Sequence, residues 1–281
     1  MAGLIAIDWG TTNRRIFVMA ADGAVEAREA DGRGILSVSD FVAEIAAIRA
    51  RFGDRPMLLS GMVGSNRGWI EAPYVACPAG IDALAANLIR AEGAAIVPGV
   101  RDTADVMRGE EVQLLGAVAA GLIAPDAAAC LPGTHAKWVR LQRGAITGFR
   151  TVMTGEIFAL LRNHSILAEQ LQAPVRIGPA FVEGVQRALD EGEMLADLFT
   201  IRAQALLGGI EDPASHASGL LIGSDIAIGT SMFEQGPIAL IGDPALTSLY
   251  AVALDEADRA SIEIDGETAF LAGIHAIASR L

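Results

Sequence analysis

Near its beginning the chain carries the stretch Asp8-Trp9-Gly10-Thr11-Thr12-Asn13-Arg14-Arg15. Apolar runs flank this stretch on both sides, over residues 4–7 and 16–19. Two apolar runs joined by a short turn predict a β-hairpin, and Gly10 suits a tight turn. The backbone amides and hydroxyls of such a turn can close around phosphate oxygens. An ordinary hairpin turn has a similar composition, so this stretch alone leaves both interpretations open.

A second glycine–threonine turn occurs later, in the stretch Leu131-Pro132-Gly133-Thr134-His135-Ala136-Lys137-Trp138-Val139. It is entered from the small apolar residues 127–130 and left through an apolar run that begins at Trp138. The chain therefore repeats a strand, a turn and a strand. This repetition resembles the paired hairpins with which the superfamily of acetate and sugar kinases, heat-shock chaperones and actin binds the phosphates of ATP. The resemblance implies two α/β domains of the actin-like, ribonuclease H-like type, with a cleft for ATP and substrate between them.

Both turns contain the residue types that nucleotide phosphates require. Asp8, at the end of a predicted buried strand, suits Mg²⁺, which prefers oxygen ligands and keeps part of its water shell. Arg15 can neutralise charge on a phosphoryl group in transfer. We expect the other phosphate contacts to come from Gly10, Thr11, Thr12, Gly133, Thr134 and Lys137.

Composition limits the class of protein. The 281 residues suit one large domain or two of ordinary size, and 52% of them are hydrophobic. No apolar run approaches the ~20 residues of a membrane span, and the opening residues do not look like a secretory signal. The net charge of −13 argues against a nucleic-acid-binding surface. Cys77 and Cys130 lack metal or redox spacing, so we expect reduced cysteines in a cytoplasmic protein.

Strand and helix patterns alternate along the chain, as in α/β proteins. The best boundary is the Ala-Pro-Asp segment 124–126. It predicts an amino-terminal domain over 1–124 and a carboxyl-terminal domain over 125–281, whose last helix returns to the domain interface. Within the first domain, the spacing of apolar residues predicts a helix over 81–91.

Two acidic residues, Glu110 and Glu111, lie at the predicted start of a helix rich in small residues. Acids at a helix start complement the helix dipole, so a structural role explains them as well as a catalytic one. Phosphoryl transfer to an alcohol needs a carboxylate that accepts the hydroxyl proton. In sugar kinases of the superfamily a glycine–acid turn entering a helix supplies this base. By that resemblance Gly109-Glu110 takes the position, with Glu in place of the commoner Asp, and Glu111 is the second candidate.

The segment Ser60-Gly61-Met62-Val63-Gly64-Ser65-Asn66-Arg67-Gly68-Trp69 predicts a substrate loop. It follows a strand pattern and offers hydroxyl, amide, guanidinium and indole donors. These donors suit a polyhydroxylated acid, whose carboxylate can bind a guanidinium. A surface turn with a buried tryptophan is the alternative. The candidate acceptor contacts are Asn13, Gly64, Ser65, Asn66, Arg67, Trp69 and Arg108.

Longer segments narrow the resemblance to one family. In chain order they are residues 8–13, 61–66, 106–111, 132–139, 149–156, 218–223 and 266–274. Together they resemble the 2-dehydro-3-deoxygalactonokinase family, and Phe149-Arg150-Thr151-Val152-Met153-Thr154-Gly155-Glu156 is the most distinctive of them. The resemblance implies an ATP-dependent kinase that phosphorylates the 6-hydroxyl of 2-dehydro-3-deoxy-D-galactonate in bacterial galactonate or galactose breakdown.

The adenosine motif of the superfamily is usually a Gly-Gly or Gly-Ser/Thr turn after a strand. Here the corresponding stretch is Ile241-Gly242-Asp243-Pro244-Ala245-Leu246-Thr247, which places an acid near the nucleotide. By resemblance Gly242 and Leu246 form the wall of the adenine site. Asp225, on a predicted helix, could reach the ribose or face solvent, and we expect it to face solvent.

Two alternatives stay open on motifs alone. A nucleotide-binding or nucleotide-hydrolysing sensor of the same fold would not need a polar loop such as 60–69 beside an acid such as Glu110. A kinase for the gluconate epimer differs by one inverted hydroxyl, which changes one or two hydrogen bonds. The expected partners are ATP, Mg²⁺ and a small sugar acid, without nucleic acid or membrane, and a homo-oligomer stays open.

Overall fold

The computed structural model describes residues 3–190 and 193–281, and these form two units, each with its own central sheet. The strands are β1 (Leu4–Trp9), β2 (Arg14–Met19), β3 (Val25–Asp31), β4 (Met57–Gly61), β5 (Val75–Ala76), β6 (Ile89–Ala91), β7 (Ala94–Ile96), β8 (Val100–Arg101), β9 (Val106–Met107), β10 (Ala127–Leu131), β11 (Ala136–Gln142), β12 (Ala145–Val152), β13 (Ile238–Gly242) and β14 (Ser261–Asp265). The helices are α1 (Phe41–Phe52), α2 (Ile81–Ala86), α3 (Glu110–Ala119), α4 (Thr154–His164), α5 (Pro179–Asp190), α6 (Met194–Leu207), α7 (Pro213–Thr230), α8 (Pro244–Glu256) and α9 (Gly266–Ala278).

Unit 1 contains the chain up to Asp126, the hairpin tip Leu141–Phe149 and the final segment Gly266–Leu281. Unit 2 contains Ala127–Arg140 and Arg150–Asp265. The first break in the chain therefore falls at the Ala-Pro-Asp segment. Unit 1 also contains the last helix and the hairpin tip. Both lie within the range 125–281 that was predicted for the second domain.

The main sheet of unit 1 has the strand order β3-β2-β1-β4-β7-β6. The antiparallel pair β1–β2 sets Asp8 opposite Arg15, and the parallel pair β1–β4 sets Asp8 beside Ser60. Because the carboxyl ends of parallel strands meet at one edge, the segments that follow β1 and β4 leave the sheet side by side. The predicted phosphate turn and the predicted substrate loop are these two segments.

Helix α3, which begins at Glu110, packs tightly against α9. A Cβ on Gly116 would lie 2.0 Å from the carbonyl oxygen of Ala269, and one on Gly273 would lie 2.1 Å from that of Val112. Only glycine allows two helix backbones to approach this closely. The last helix of the chain thus supports the helix that carries the predicted base.

The sheet of unit 2 has the order β12-β11-β10-β13-β14, which repeats the relative order of β3-β2-β1-β4-β7. Strand β13 is parallel to both β10 and β14. Helix α7 has small and apolar residues around most of its circumference and is buried along much of its length. Trp138, Phe181 and Tyr250 are the large aromatic residues of this core.

The helix predicted over 81–91 is wrong in its second half. Helix α2 ends at Ala86, and β6 pairs with β7 in an antiparallel hairpin. Glu92 and Gly93 join these two strands, and both have positive φ, as a tight hairpin turn requires. In the part of the chain that the structure describes, we find no helix with the length and apolar character needed to cross a membrane.

Candidate active site

The turn between β1 and β2 is the first element of the site. Gly10 N–H donates to the carbonyl oxygen of Asn13 at 2.9 Å and closes the turn. A second segment supports it, because Gly34 N–H donates to the carbonyl oxygen of Thr12 at 3.1 Å. A Cβ on Gly34 would lie 2.3 Å from the carbonyl oxygen of Thr11, so this contact needs a glycine. The side chains of Thr11, Thr12 and Asn13 are exposed, as phosphate or substrate contacts require.

Asp8 and Arg15 form an ion pair beside this turn. Arg15 Nη2 lies 2.5 Å from Asp8 Oδ2, and its Nε lies 3.1 Å from the same oxygen. The Asp8 side chain is 18% exposed, and both residues line an open cavity of about 540 Å³ that Gly10 and Asn13 also line. Arg15 therefore holds one oxygen of the Asp8 carboxylate and orients the group at the cavity.

The predicted acceptor contacts in the loop after β4 differ in burial. Gly64 and Ser65 are buried, and Ser65 Oγ donates to the carbonyl oxygen of Met62 at 2.7 Å. Trp69 stacks on Phe41, with ring centroids 6.5 Å apart, and packs against the core of unit 1. The exposed members are Asn66 and Arg67.

Arg108 lies beneath this loop. Its guanidinium is 4.3 Å from the ring centroid of Tyr74, and Nη2 donates to the carbonyl oxygen of Ala72 at 2.8 Å. The Nε and Nη1 atoms are buried and have no hydrogen-bond partner among residues 3–190 and 193–281. A Cβ on Gly64 would lie 2.8 Å from Nη1, so the loop backbone passes directly over the guanidinium.

Glu110 and Glu111 differ sharply in burial. Gly109 has φ +110°, and a Cβ there would lie 3.5 Å from the Cα of Gly61, which brings the start of α3 against the start of the loop. Glu110 is half-buried, and its Oε2 accepts from Arg108 N–H at 3.1 Å. Glu111 is completely buried and accepts from Gly109 N–H at 2.7 Å. Of the two carboxylates, only that of Glu110 is open to an external hydroxyl.

The electrostatics of the pair follow from this burial. Burial, and then the nearby charge of Glu110, raise the pKa of Glu111 to about 8, against the opposing effect of backbone N–H groups and Arg108. Its Oε1 has no hydrogen-bond partner within the described residues. Glu111 is therefore protonated near neutral pH, whereas a general base must be ionised.

The turn after β10 forms the corresponding element of unit 2. Helix α4 supports it, because Glu156 N–H donates to the carbonyl oxygen of Thr134 at 2.9 Å. A Cβ on Gly155 would lie 2.5 Å from the carbonyl oxygen of Gly133. Lys137 is 4% exposed, and its Nζ donates to the carbonyl oxygen of His135 at 3.3 Å. Gly133 and Thr134 face outward more than Lys137 does.

The predicted adenosine turn lies next to this phosphate turn. Strand β13 ends at Gly242, where a Cβ would lie 3.6 Å from the carbonyl oxygen of Pro132. Asp243 caps α8, since its Oδ1 accepts from Ala245 N–H at 2.9 Å. Leu246 is half-buried and packs against the core of unit 2. Unit 2 therefore brings the two predicted nucleotide turns together.

Comparison with known proteins decides the family. A family model described as 2-keto-3-deoxy-galactonokinase matches residues 8–277. The chain belongs to this family. The 2-dehydro-3-deoxygalactonokinase of Escherichia coli strain K12 is 37% identical over 288 residues, which are 99% of this chain and 98% of the relative. The family resemblance seen in the sequence is thus confirmed.

Solved structures agree with this family of kinases. A crystal structure from Sinorhizobium meliloti, described as that of a 2-dehydro-3-deoxygalactonokinase, has a TM-score of 0.91 and 34% identity, and the match covers 99% of this chain and 98% of that one. An activator of 2-hydroxyisocaproyl-CoA dehydratase from Clostridium difficile, solved with bound ADPNP, has a TM-score of 0.56 at 11% identity, with 99% and 95% covered. The second likeness shows the fold alone, and the predicted fold class is confirmed.

The structure of this galactonokinase family member also contains site features that sequence reasoning missed. The expectation that Asp225 faces solvent is wrong, because it is completely buried and accepts hydrogen bonds from three side chains. His135 Nε2 lies 2.5 Å from Glu156 Oε2 at the phosphate turn of unit 2. The segment 149–156 carried the family resemblance, but no local pattern in it indicates that its last residue reaches the turn.

Proposed function

We propose that this chain transfers the γ-phosphoryl group of ATP to the 6-hydroxyl of 2-dehydro-3-deoxy-D-galactonate and releases the 6-phosphorylated acid and ADP. One observation carries the proposal: the turn that presents the half-buried carboxylate of Glu110 lies against the start of the loop that presents Asn66 and Arg67. A base beside donors for a polyhydroxylated acid suits a sugar-acid kinase. The activity named for the E. coli relative supports the same reaction.

Glu110 performs the proton transfer in this proposal. Its carboxylate accepts the proton of the 6-hydroxyl while the hydroxyl oxygen forms a bond to the γ-phosphorus. The bond between the γ-phosphorus and the oxygen that bridges to the β-phosphate breaks, and ADP leaves with that oxygen. The backbone N–H of Arg108, which donates to Glu110 Oε2, helps to orient the carboxylate for this proton transfer.

Arg67 binds the carboxylate of the acceptor, and Asn66 binds a hydroxyl. Both side chains are exposed, and a guanidinium can hold a carboxylate through two parallel hydrogen bonds. Arg108 contributes chiefly through the loop, because its guanidinium is fixed between Tyr74 and Ala72. The remaining acceptor residues of the proposal, which shape the loop or flank the first turn, are Asn13, Gly64, Ser65 and Trp69.

The two glycine–threonine turns hold the nucleotide phosphates. Exposed threonine hydroxyls and turn amides provide neutral donors, and Arg15 and Lys137 provide positive charge. Gly242 and Leu246 contribute the wall of the adenine site next to the turn of unit 2. The phosphate contacts of the proposal are Gly10, Thr11, Thr12, Arg15, Gly133, Thr134 and Lys137.

Asp8 is the residue that suits Mg²⁺. Among the described residues no group of three or more His, Cys, Asp and Glu side chains could enclose a metal ion. A single carboxylate next to a phosphate turn fits Mg²⁺, since that ion usually binds through one or two carboxylates, waters and substrate phosphates. Mg²⁺ bound there with ATP would neutralise phosphate charge during transfer.

An acceptor panel tests the proposal. ADP formation is measured with 2-dehydro-3-deoxy-D-galactonate, with its gluconate epimer and with no acceptor. We expect turnover with the galactonate, slower turnover with the epimer and little without acceptor. Glu110→Gln should lower turnover at least ~10²-fold, while Glu71→Gln, at an exposed position of the same unit, should leave it unchanged. Acceptor-independent ADP formation alone would favour a nucleotide-hydrolysing sensor and overturn the proposal.

A further inference from the structure

A buried carboxylate joins three elements of unit 2. Asp225, on α7, accepts from Trp138 Nε1 at 2.7 Å, from Thr154 Oγ1 at 2.6 Å and from Tyr250 Oη at 2.5 Å. It is 0% exposed. A carboxylate in such a place is unfavourable unless its oxygens are hydrogen-bonded, and here donors from three elements satisfy them. These donors are therefore held in one arrangement around a single acceptor group.

Two of the three donors lie on elements that adjoin the phosphate turn 132–135. Trp138 lies on β11, which begins at Ala136 directly after the turn. Thr154 is the first residue of α4, and the next two residues of that helix contact the turn through Gly133 and Thr134. Asp225 thus fixes both the strand that leaves the turn and the helix end that packs on it.

The third donor lies on the helix that follows the adenosine turn. Tyr250 lies on α8, which begins at Pro244, two residues after Gly242. Helix α7 also approaches Trp138 directly, because a Cβ on Gly229 would lie 1.9 Å from the indole ring. Burial raises the pKa of Asp225, and the hydrogen bonds from its three donors oppose that rise. The carboxylate is sealed from solvent, so any effect on nucleotide passes through its partners.

We infer that Asp225 is a positioning residue for nucleotide binding. Its hydrogen bonds fix the phosphate turn 132–135 and the adenosine turn at Gly242 relative to each other. The inference rests on the proposed function insofar as it takes these two turns as the nucleotide site. Asp225 itself touches no ligand, and it acts through Trp138, Thr154 and Tyr250. We call Asp225 and these three donors the junction. Loss of the junction should therefore weaken nucleotide binding in the absence of any acceptor.

The test measures the Kd for ADP by calorimetry without acceptor, using the whole chain. Asp225→Asn keeps the size of the side chain but turns an NH₂ group toward hydrogen-bond donors. We expect its Kd to rise at least about tenfold, as for a lost set of buried hydrogen bonds. Thr154→Val, which removes one donor with little change in shape, should raise the Kd about three- to tenfold. In the double variant the second change should add less than about twofold, because both act through one junction.

Ile201→Ala provides the control. Ile201 is a buried residue of unit 2 on α6, in a core cluster that contains no residue of either turn, and its truncation lowers stability through packing. At a temperature where each variant is folded, we expect its Kd for ADP to equal that of the wild type. An equal rise in Kd for Ile201→Ala and Asp225→Asn would overturn the inference, since stability alone would then explain it.

Two further outcomes separate the inference from the proposed function. If Asp225→Asn does not fold, Thr154→Val carries the test, and an unchanged Kd for ADP in that variant would overturn the inference. If wild-type protein binds ADP and the variants behave as expected but no sugar acid is phosphorylated, the junction stands and the proposed reaction fails.

Discussion

Replacement of Glu111 by Gln should change how the stability of the protein depends on pH. The Glu111 carboxyl is completely buried at the start of α3, and burial followed by the charge of Glu110 raises its pKa from 4.5 to about 8. A folded-state pKa above the unfolded value means that the folded state binds the proton more tightly. The stabilisation from protonated Glu111 is therefore complete below pH 4.5 and is lost as pH rises toward 8.

The size of the effect follows from the two pKa values. Between pH 6 and pH 8 the wild type should lose about 2 kcal/mol of unfolding free energy through this group. Gln resembles the protonated carboxyl in shape and can still accept from Gly109 N–H, but it does not ionise. The difference between Glu111→Gln and wild type should therefore shift by about 2 kcal/mol in favour of the variant over the same range.

Urea denaturation at pH 6 and pH 8 measures this difference. Tryptophan fluorescence reports on unit 1 through Trp9 and Trp69, which both pack in its core. Glu71→Gln is the matched control, because this glutamate is exposed and its substitution should leave the pH dependence of the wild type unchanged. Parallel pH dependence in wild type and Glu111→Gln would refute the reasoning, since it would mean that Glu111 is already ionised at pH 6.

Four further substitutions test the proposed roles of residues in catalysis and acceptor binding. Glu110→Gln should lower kcat at least ~10²-fold with little change in the Kd for ADP, as measured by steady-state kinetics and calorimetry. Activity that survives in this variant but is lost in Glu111→Gln would instead make Glu111 the general base. Asp8→Asn should weaken Mg²⁺-dependent turnover far more than metal-free nucleotide binding, and full activity at limiting Mg²⁺ would exclude the metal role. Arg67→Met should raise the acceptor KM about 30- to 1,000-fold with the KM for ATP unchanged, as expected for a lost bidentate ion pair. Arg108→Met should raise the acceptor KM and also lower thermal stability, and normal acceptor kinetics in both variants would place the sugar carboxylate on loop amides instead.

Local patterns were enough to predict the parts of the fold that depend on nearby residues. Both hairpins were visible as apolar runs around a glycine–threonine turn, and the start of α3 was visible at Gly109-Glu110. Strand β3 gave no such signal, because it is an edge strand with charged side chains. Those charges pair with distant residues, as Asp31 does with Arg14 at 2.6 Å.

Burial is a property of the tertiary structure, and it distinguishes between candidate site residues that look equivalent in the sequence. Glu110 and Glu111 are neighbours with the same side chain, yet only the second is sealed in the core. Arg67 and Arg108 were both candidates for the acceptor carboxylate, but the guanidinium of Arg108 lies beneath the loop backbone and that of Arg67 is exposed.

The sequence by itself determined the α/β class, the family and the two turns that we assign to phosphate, because turn chemistry and strand pattern are local. Only the tertiary structure decided the burial of Asp225, whose neighbours on α7 are small or apolar and whose donors Trp138 and Thr154 are 87 and 71 residues away along the chain. A lone acid in an apolar helix can be exposed or buried, and the choice depends on which distant donors the fold brings to it. That information is in the packing of helices and strands, because no local pattern records which remote hydroxyl or indole will meet a given carboxylate.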